Sequence, residues 1–487
     1  MTNSLNRKNF ITLLAILIIM TGFALPPIGG LNADAISLIG IFCASLLLWI
    51  FVGIDWPSFI TLMALGLIPS LGFKQVFKDA FGNTTVAFLL FTFALVYPLA
   101  KTNFVKRCTI FFITNRFARK GPWHFVIFLF AAVTFMGLFI SPSVLFVAFL
   151  PFLENILEVL ELKKGGKSAN MLMCGSAICI NLSSGMTAIG HVWPTLAIGY
   201  YQSATGMSIN QFQYMAFGIP TGLILITLLL LAFRFIYRPD DLADINIEKA
   251  LSLKENMPAI DRKEKVILAT VGLVVFLWVA PGLLEKVWPS FYKLINSYTS
   301  AFPPLLGCII LYIINIDGKS ILDFKEVSQK GIMWGSIIMT ASATALGAGI
   351  TNNNIGISTW LSDTLGPFAQ SLPVLMMIFF FMVWALIETN FSSNIVTTTV
   401  VSSVALTILM TLPSGTVSIG AVIAMVGFAA AVCNMTPAGQ STVNTVAIAS
   451  GYTDAKSMFV WGLFVAVAAA FVLTFVAYPL VASLIGF

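Results

Sequence analysis

Phe139-Ile140-Ser141-Pro142-Ser143 and Phe391-Ser392-Ser393-Asn394-Ile395 decide the fold. Each interrupts a long apolar run with small polar residues, and they lie 252 positions apart in a chain of 487. A helix that loses its regularity inside a membrane leaves amides and carbonyls without partners, which is tolerated only where protein, water or a ligand supplies them. Two such interruptions at corresponding places in two halves point to a binding site near the bilayer midplane.

The membrane setting follows from composition. Hydrophobic residues make up 58% of the chain and charged residues 9%, with a mean hydropathy of +0.95, well outside the soluble range. Runs long enough to span recur at 10–27, 35–54, 57–72, 83–104, 171–199, 212–237, 265–283, 299–315, 332–350, 417–434 and 457–484. They imply an all-α polytopic membrane protein of about eleven transmembrane helices plus two re-entrant helical hairpins at the interruptions. The first run follows Arg7 and Lys8 but has no small-residue cleavage site after it, so it reads as a helix rather than a signal peptide. Six scattered cysteines without a CxxC pair suggest neither a disulfide framework nor a thiolate metal site. The net charge of +6 sits in loops, so no nucleic-acid partner is expected.

Loop charge sets the orientation. Basic residues cluster at Lys101–Lys120, at Lys163, Lys164 and Lys167, and at Arg234–Lys265, which places these loops and the N-terminus in the cytoplasm and the C-terminus outside. The first two clusters flank 121–160, so that hairpin enters and leaves on the cytoplasmic face. The second hairpin, 372–412, has uncharged flanks and enters from the other side. Ala197-Ile198-Gly199-Tyr200 repeats as Ala449-Ser450-Gly451-Tyr452 at the same offset of 252. Two inverted-topology repeats are therefore expected. Residues 1–72 form N-terminal scaffold helices and 73–237 the first repeat, with its hairpin at 121–160 and a broken crossing at 171–199. A cytoplasmic linker at 238–265 and scaffold helices at 266–323 follow. The second repeat, 324–487, carries the hairpin 372–412 and a broken crossing at 417–452.

The two broken crossings read Ser183-Ser184-Gly185-Met186-Thr187-Ala188-Ile189-Gly190-His191-Val192-Trp193-Pro194 and Asn434-Met435-Thr436-Pro437-Ala438-Gly439-Gln440-Ser441-Thr442-Val443-Asn444. Gly, Ser, Thr and Pro at this density signal unwound helix. Half-helix amino termini carry roughly +0.5 of an elementary charge and free amides, which suit substrate carboxylates. His191 stands at the unwound point of the first crossing, where it serves either as a satisfied core residue or as a partner for a carboxylate. Glu388 is the acid inside the second hairpin, answering a partner charge, a proton or a backbone hydrogen bond. No acidic pair, HExxH or Ser–His–Asp set stands in the presumed midplane, so an enzyme is not expected and no cofactor is implied.

On these residues the chain resembles the divalent-anion:sodium symporter family of dicarboxylate and citrate carriers, whose two hairpins each carry a Ser-Asn-Thr tip. The resemblance puts the second tip on Ser393, Asn394 and Ile395, the first on Ser141, Pro142 and Ser143, a crossing glycine on Gly190 with His191 after it, and a Thr-Pro pair on Thr436 and Pro437. It implies dicarboxylate substrates such as 2-oxoglutarate, malate, succinate and fumarate, a homodimer in the bilayer, and an elevator-type transporter. In that family the tips and unwound crossings also hold two sodium ions. Here Pro142 lacks a side-chain amide and an N–H, and Ile395 lacks a hydroxyl, so degenerate sodium sites remain near Ser141, Gly190, Asn394 and Thr436. The resemblance then points to the sodium-independent dicarboxylate exchangers, with a sodium- or proton-coupled symporter as the alternative.

Overall fold

The computed structural model describes residues 2–189, 191–243, 245–251, 257–357, 359–360, 363–364, 367, 371–436 and 442–486. In chain order its α-helices begin with α1 (Thr2–Ala24), α2 (Ala33–Phe51), α3 (Pro57–Gly66), α4 (Gly72–Phe81), α5 (Thr84–Ala100) and α6 (Phe104–Ile113). The first hairpin is α7 (Pro122–Gly137) and α8 (Pro142–Val159), the first broken crossing α9 (Lys167–Met186) and α10 (Val192–Thr205), and α11 (Gln211–Ala232) closes that half. Beyond the linker come α12 (Arg262–Leu284), α13 (Pro289–Ser297), α14 (Phe302–Ile313), α15 (Phe324–Glu326) and α16 (Trp334–Ile350). The second hairpin is α17 (Val374–Phe391) and α18 (Asn394–Leu409), its crossing α19 (Ile419–Ala429) and α20 (Thr442–Ala449), followed by α21 (Ala455–Val472) and α22 (Tyr478–Ile485). A two-residue strand pair, Asn315–Ile316 with Lys319–Ser320, is the one sheet among the described residues.

The repeat is visible in where helices begin. Gly72 and Phe324, Pro122 and Val374, Pro142 and Asn394, Lys167 and Ile419 are four pairs of first residues, each 252 positions apart. In both halves a short helix bends into a longer apolar one, by 42° between α4 and α5 and by 70° from Phe324–Gly331 into α16. Among the described residues seven helices are long and apolar enough to cross a membrane, or nine if each bent pair is one span. Shorter apolar helices of 10–17 residues take up runs that the sequence presents as continuous. Glycine, proline and capping residues divide those runs: Asn83, for instance, accepts from the Thr85 amide and starts α5 afresh.

The halves interlock. The half-helix α10 of the first crossing packs against the second hairpin arm α18, and α20 of the second crossing packs against the first hairpin arm α8. Around them α2, α3, α4 and α16 pack together, α5 lies against α14 and α14 against α12, and α16 and α5 both rest on α10. Across the halves Lys101 pairs with Glu326, whose carboxyl that ammonium and the Tyr97 hydroxyl hold below the usual range. Arg107 binds Glu264 through two bonds of 3.0 and 3.1 Å.

Hairpin one lies close against α9 because Gly137 has no side chain: a Cβ there would sit 1.8 Å from Ser183 Oγ. Gly137→Ala should therefore cost about 1–3 kcal/mol by overpacking, read as a lower melting temperature in detergent. Adding Ser183→Gly should recover most of that loss.

Candidate functional site

Both hairpin tips are helix starts. Pro142 opens α8 behind an extended Ser141 (φ −59°, ψ 143°), and Asn394 opens α18 behind an extended Ser393 (φ −119°, ψ 138°). Proline fits the first helical position, where an amide has no intrahelical partner. It keeps the helix and removes one free donor that the second tip retains. Pro142, Ser393 and Ile395 are buried, Ser141 and Asn394 half-buried, and Ser143 exposed. The Ser143 hydroxyl meets that of Thr442 at the start of α20, so the first tip touches the crossing of the second half. No hydrogen bond among the described residues joins tip to tip.

The second tip is bound tightly to its own crossing through Asn390, one turn before Asn394. Asn390 Nδ2 donates to the carbonyls of Leu386 and Val432, each at 2.8 Å, and its Oδ1 accepts from the Met435 amide at 2.7 Å. Its own carbonyl accepts from the Thr436 hydroxyl. Thr389 adds a bond to the Ala430 carbonyl at 2.7 Å and one to Asn394 Oδ1 at 3.3 Å. Asn394 Nδ2 in turn donates to Cys433 Sγ at 3.3 Å. Backbone groups of Ala430, Val432 and Met435, freed where α19 ends, are thus taken up by side chains of the hairpin, as a low-dielectric setting requires. Sequence reasoning passed over Asn390 and Thr389; the signal was the polar run Glu388-Thr389-Asn390 ending an apolar helix just before the break.

The first crossing is held by different chemistry. Thr187 Oγ1 donates to the Leu138 carbonyl at 2.7 Å, and His191 Nε2 lies 3.0 Å from the Gly137 carbonyl. A carbonyl only accepts, so Nε2 carries the proton. His191 is 1% exposed, stacks on Trp193 with ring centroids 6.1 Å apart, and its Nδ1 has no partner. The histidine that the sequence offers to a substrate carboxylate therefore first ties the hairpin to the crossing. Glu388 is half-buried in α17, and its Oε2 has no partner. Gly190 and Pro437 lie outside the described residues.

Four half-helices starting at two hairpin tips and two broken crossings have the build of a polytopic membrane transporter. The chain matches the family profile described as citrate transporter over residues 44–419, and it belongs to that family. It is 26% identical over 475 residues to the sodium-dependent dicarboxylate transporter SdcS of Staphylococcus saprophyticus, covering 93% of this chain and 88% of that one. The protein of the same name from Staphylococcus aureus is 24% identical over 471 residues, covering 92% and 87%. Among solved structures, the YdaH transporter of Alcanivorax borkumensis superposes with a TM-score of 0.57 at 13% identity, over 96% of this chain and 98% of that one, a likeness of fold.

Asn390→Ala strands a buried carbonyl and amide and should cost roughly 2–4 kcal/mol, lowering the melting temperature well below that of Asn394→Ala. His191→Ala leaves the Gly137 carbonyl unpaired and should cost about 1–3 kcal/mol, measured in the same thermal unfolding series.

Proposed function

We propose that the protein carries C4 and C5 dicarboxylates across the membrane by exchange, one dicarboxylate against another without sodium. The observation that carries the reading is four helix amino termini, at Pro142, Val192, Asn394 and Thr442, set at two hairpin tips and two broken crossings that pack across the halves, α10 on α18 and α20 on α8. Each terminus offers partial positive charge and free amides, which together suit a small dianion. The names of the staphylococcal relatives support the dicarboxylate. Ser141, Ser143, Ser393, Asn394 and Thr436 supply hydroxyls and an amide, with Pro142 and Ile395 beside them at the tips and His191 at the first crossing.

Independence from sodium rests on Pro142 and Ile395, which remove oxygen and nitrogen groups that would hold an ion or its hydration shell. The same relatives are named sodium-dependent, and this favours the second reading, a sodium-coupled symporter. Movement follows the elevator scheme: hairpins and broken crossings form the carrying body, and the helices of 1–72 and 266–323 form the fixed scaffold of a homodimer. A cleft of about 420 Å³ between α10–α11 and α12–α13, lined by Gln202, Gln211, Trp278 and Tyr298, separates the two groups on one side. The N-terminus is cytoplasmic and the C-terminus external, after the basic loops.

Purified protein in liposomes preloaded with unlabelled succinate should take up labelled succinate or 2-oxoglutarate, and empty liposomes with an inward sodium gradient should not. Uptake into the empty vesicles driven by sodium would replace exchange with symport. Asn394→Ala should reach the membrane normally and lose at least 90% of exchange, by roughly the 1.5–3 kcal/mol of a hydrogen bond to a charged group; unchanged uptake would remove the tip from the site.

A further inference from the structure

Three buried asparagines join the two broken crossings, and the direction of their hydrogen bonds can be derived. Asn444 Nδ2 lies 2.8 Å from the Cys433 carbonyl and 3.1 Å from the Thr436 carbonyl. Carbonyls only accept, so that atom is the nitrogen and the other end of Asn444 is its oxygen. The Asn444 oxygen lies 3.1 Å from Asn181 and must receive a proton from it, which makes the approaching atom Asn181 Nδ2. The same Nδ2 lies 3.0 Å from Asn434, whose facing atom is therefore Oδ1. The orientation passes down the chain of amides and leaves Asn434 Nδ2 at its end, a donor with no partner. Asn434 is fully buried. It follows Cys433, which accepts from the tip residue Asn394, and it lies two positions before Thr436.

We infer that Asn434 is a substrate-contacting residue whose side-chain N–H donates to a carboxylate oxygen of the transported anion, supplying an amide that Pro142 removes from the first tip. The polarity of the chain selects the ligand: a fixed N–H faces an acceptor and repels a cation. A buried donor without a partner carries a desolvation cost that an anionic acceptor cancels. Burial means that the substrate reaches Asn434 as the hairpin tip parts from the crossing. The inference rests on the dicarboxylate reading above.

Asn434→Asp separates this role from a structural one, because it keeps the oxygen that accepts from Asn181 and exchanges only the donor. Succinate and citrate binding to the purified full-length protein would be measured by ligand-induced shift in melting temperature and by equilibrium binding of labelled succinate, between pH 6 and pH 8.5. Asn434→Asp should weaken succinate binding roughly 10- to 100-fold at pH 8.5 and recover part of the loss at pH 6, where a protonated carboxyl again donates; the wild-type protein should show no such recovery. Should Asn434→Asp not yield folded protein, Asn434→Ala is expected to lose succinate binding by the same factor at every pH. Wild-type binding of succinate with either folded variant within twofold of it would overturn the inference and leave the transport reading intact. Failure of the wild-type protein to bind either anion would overturn both.

Discussion

The structure depends on satisfying backbone polar groups where helices are broken inside a low-dielectric setting. Each unpaired buried carbonyl or amide costs on the order of 1–3 kcal/mol, and a break of several residues exposes several at once. In the second half, Asn390 and Thr389 take up groups from Ala430 to Thr436. In the first half, Thr187 and His191 reach back to the hairpin carbonyls of Leu138 and Gly137. Breaks held in this way can stay open at their remaining groups, which is what a binding site needs.

The two halves share a frame and differ in its fastening. Four pairs of helix starts keep an offset of 252, yet the hairpin of the second half holds its crossing with an amide, whereas the crossing of the first holds its hairpin with an imidazole and a hydroxyl. Each crossing also leans on the opposite hairpin, α10 on α18 and α20 on α8. Neither half therefore completes its own polar centre. The amide chain from Asn444 through Asn181 to Asn434 spans that same junction, so a change in one half is felt in the other.

Much of this was legible in the chain. Ser141-Pro142-Ser143 and Ser393-Asn394-Ile395 mark helix starts because small polar residues and proline end one helix and cap the next, and the structure begins α8 and α18 there. The first crossing breaks after Met186, within the stretch rich in Gly, Ser and Thr. The role of Asn390 was not legible: in sequence it ends the polar run Glu388-Thr389-Asn390, and its meaning lies in Val432 and Met435, more than forty positions away. His191 was legible as a residue of interest but not as a tie to Gly137, because nothing local records which carbonyl faces it.

Sequence by itself determined the membrane class, the offset of 252 between the two halves and the helix starts at the two tips. These follow from hydropathy, from the fixed offset and from residues whose backbone preferences act within a turn. Only the tertiary structure decided which side chains meet the freed backbone groups, that Asn390 rather than Asn394 clamps the crossing, and which way the buried amides point. Those depend on partners brought together by packing from distant parts of the chain, and on the rule that a carbonyl accepts and never donates.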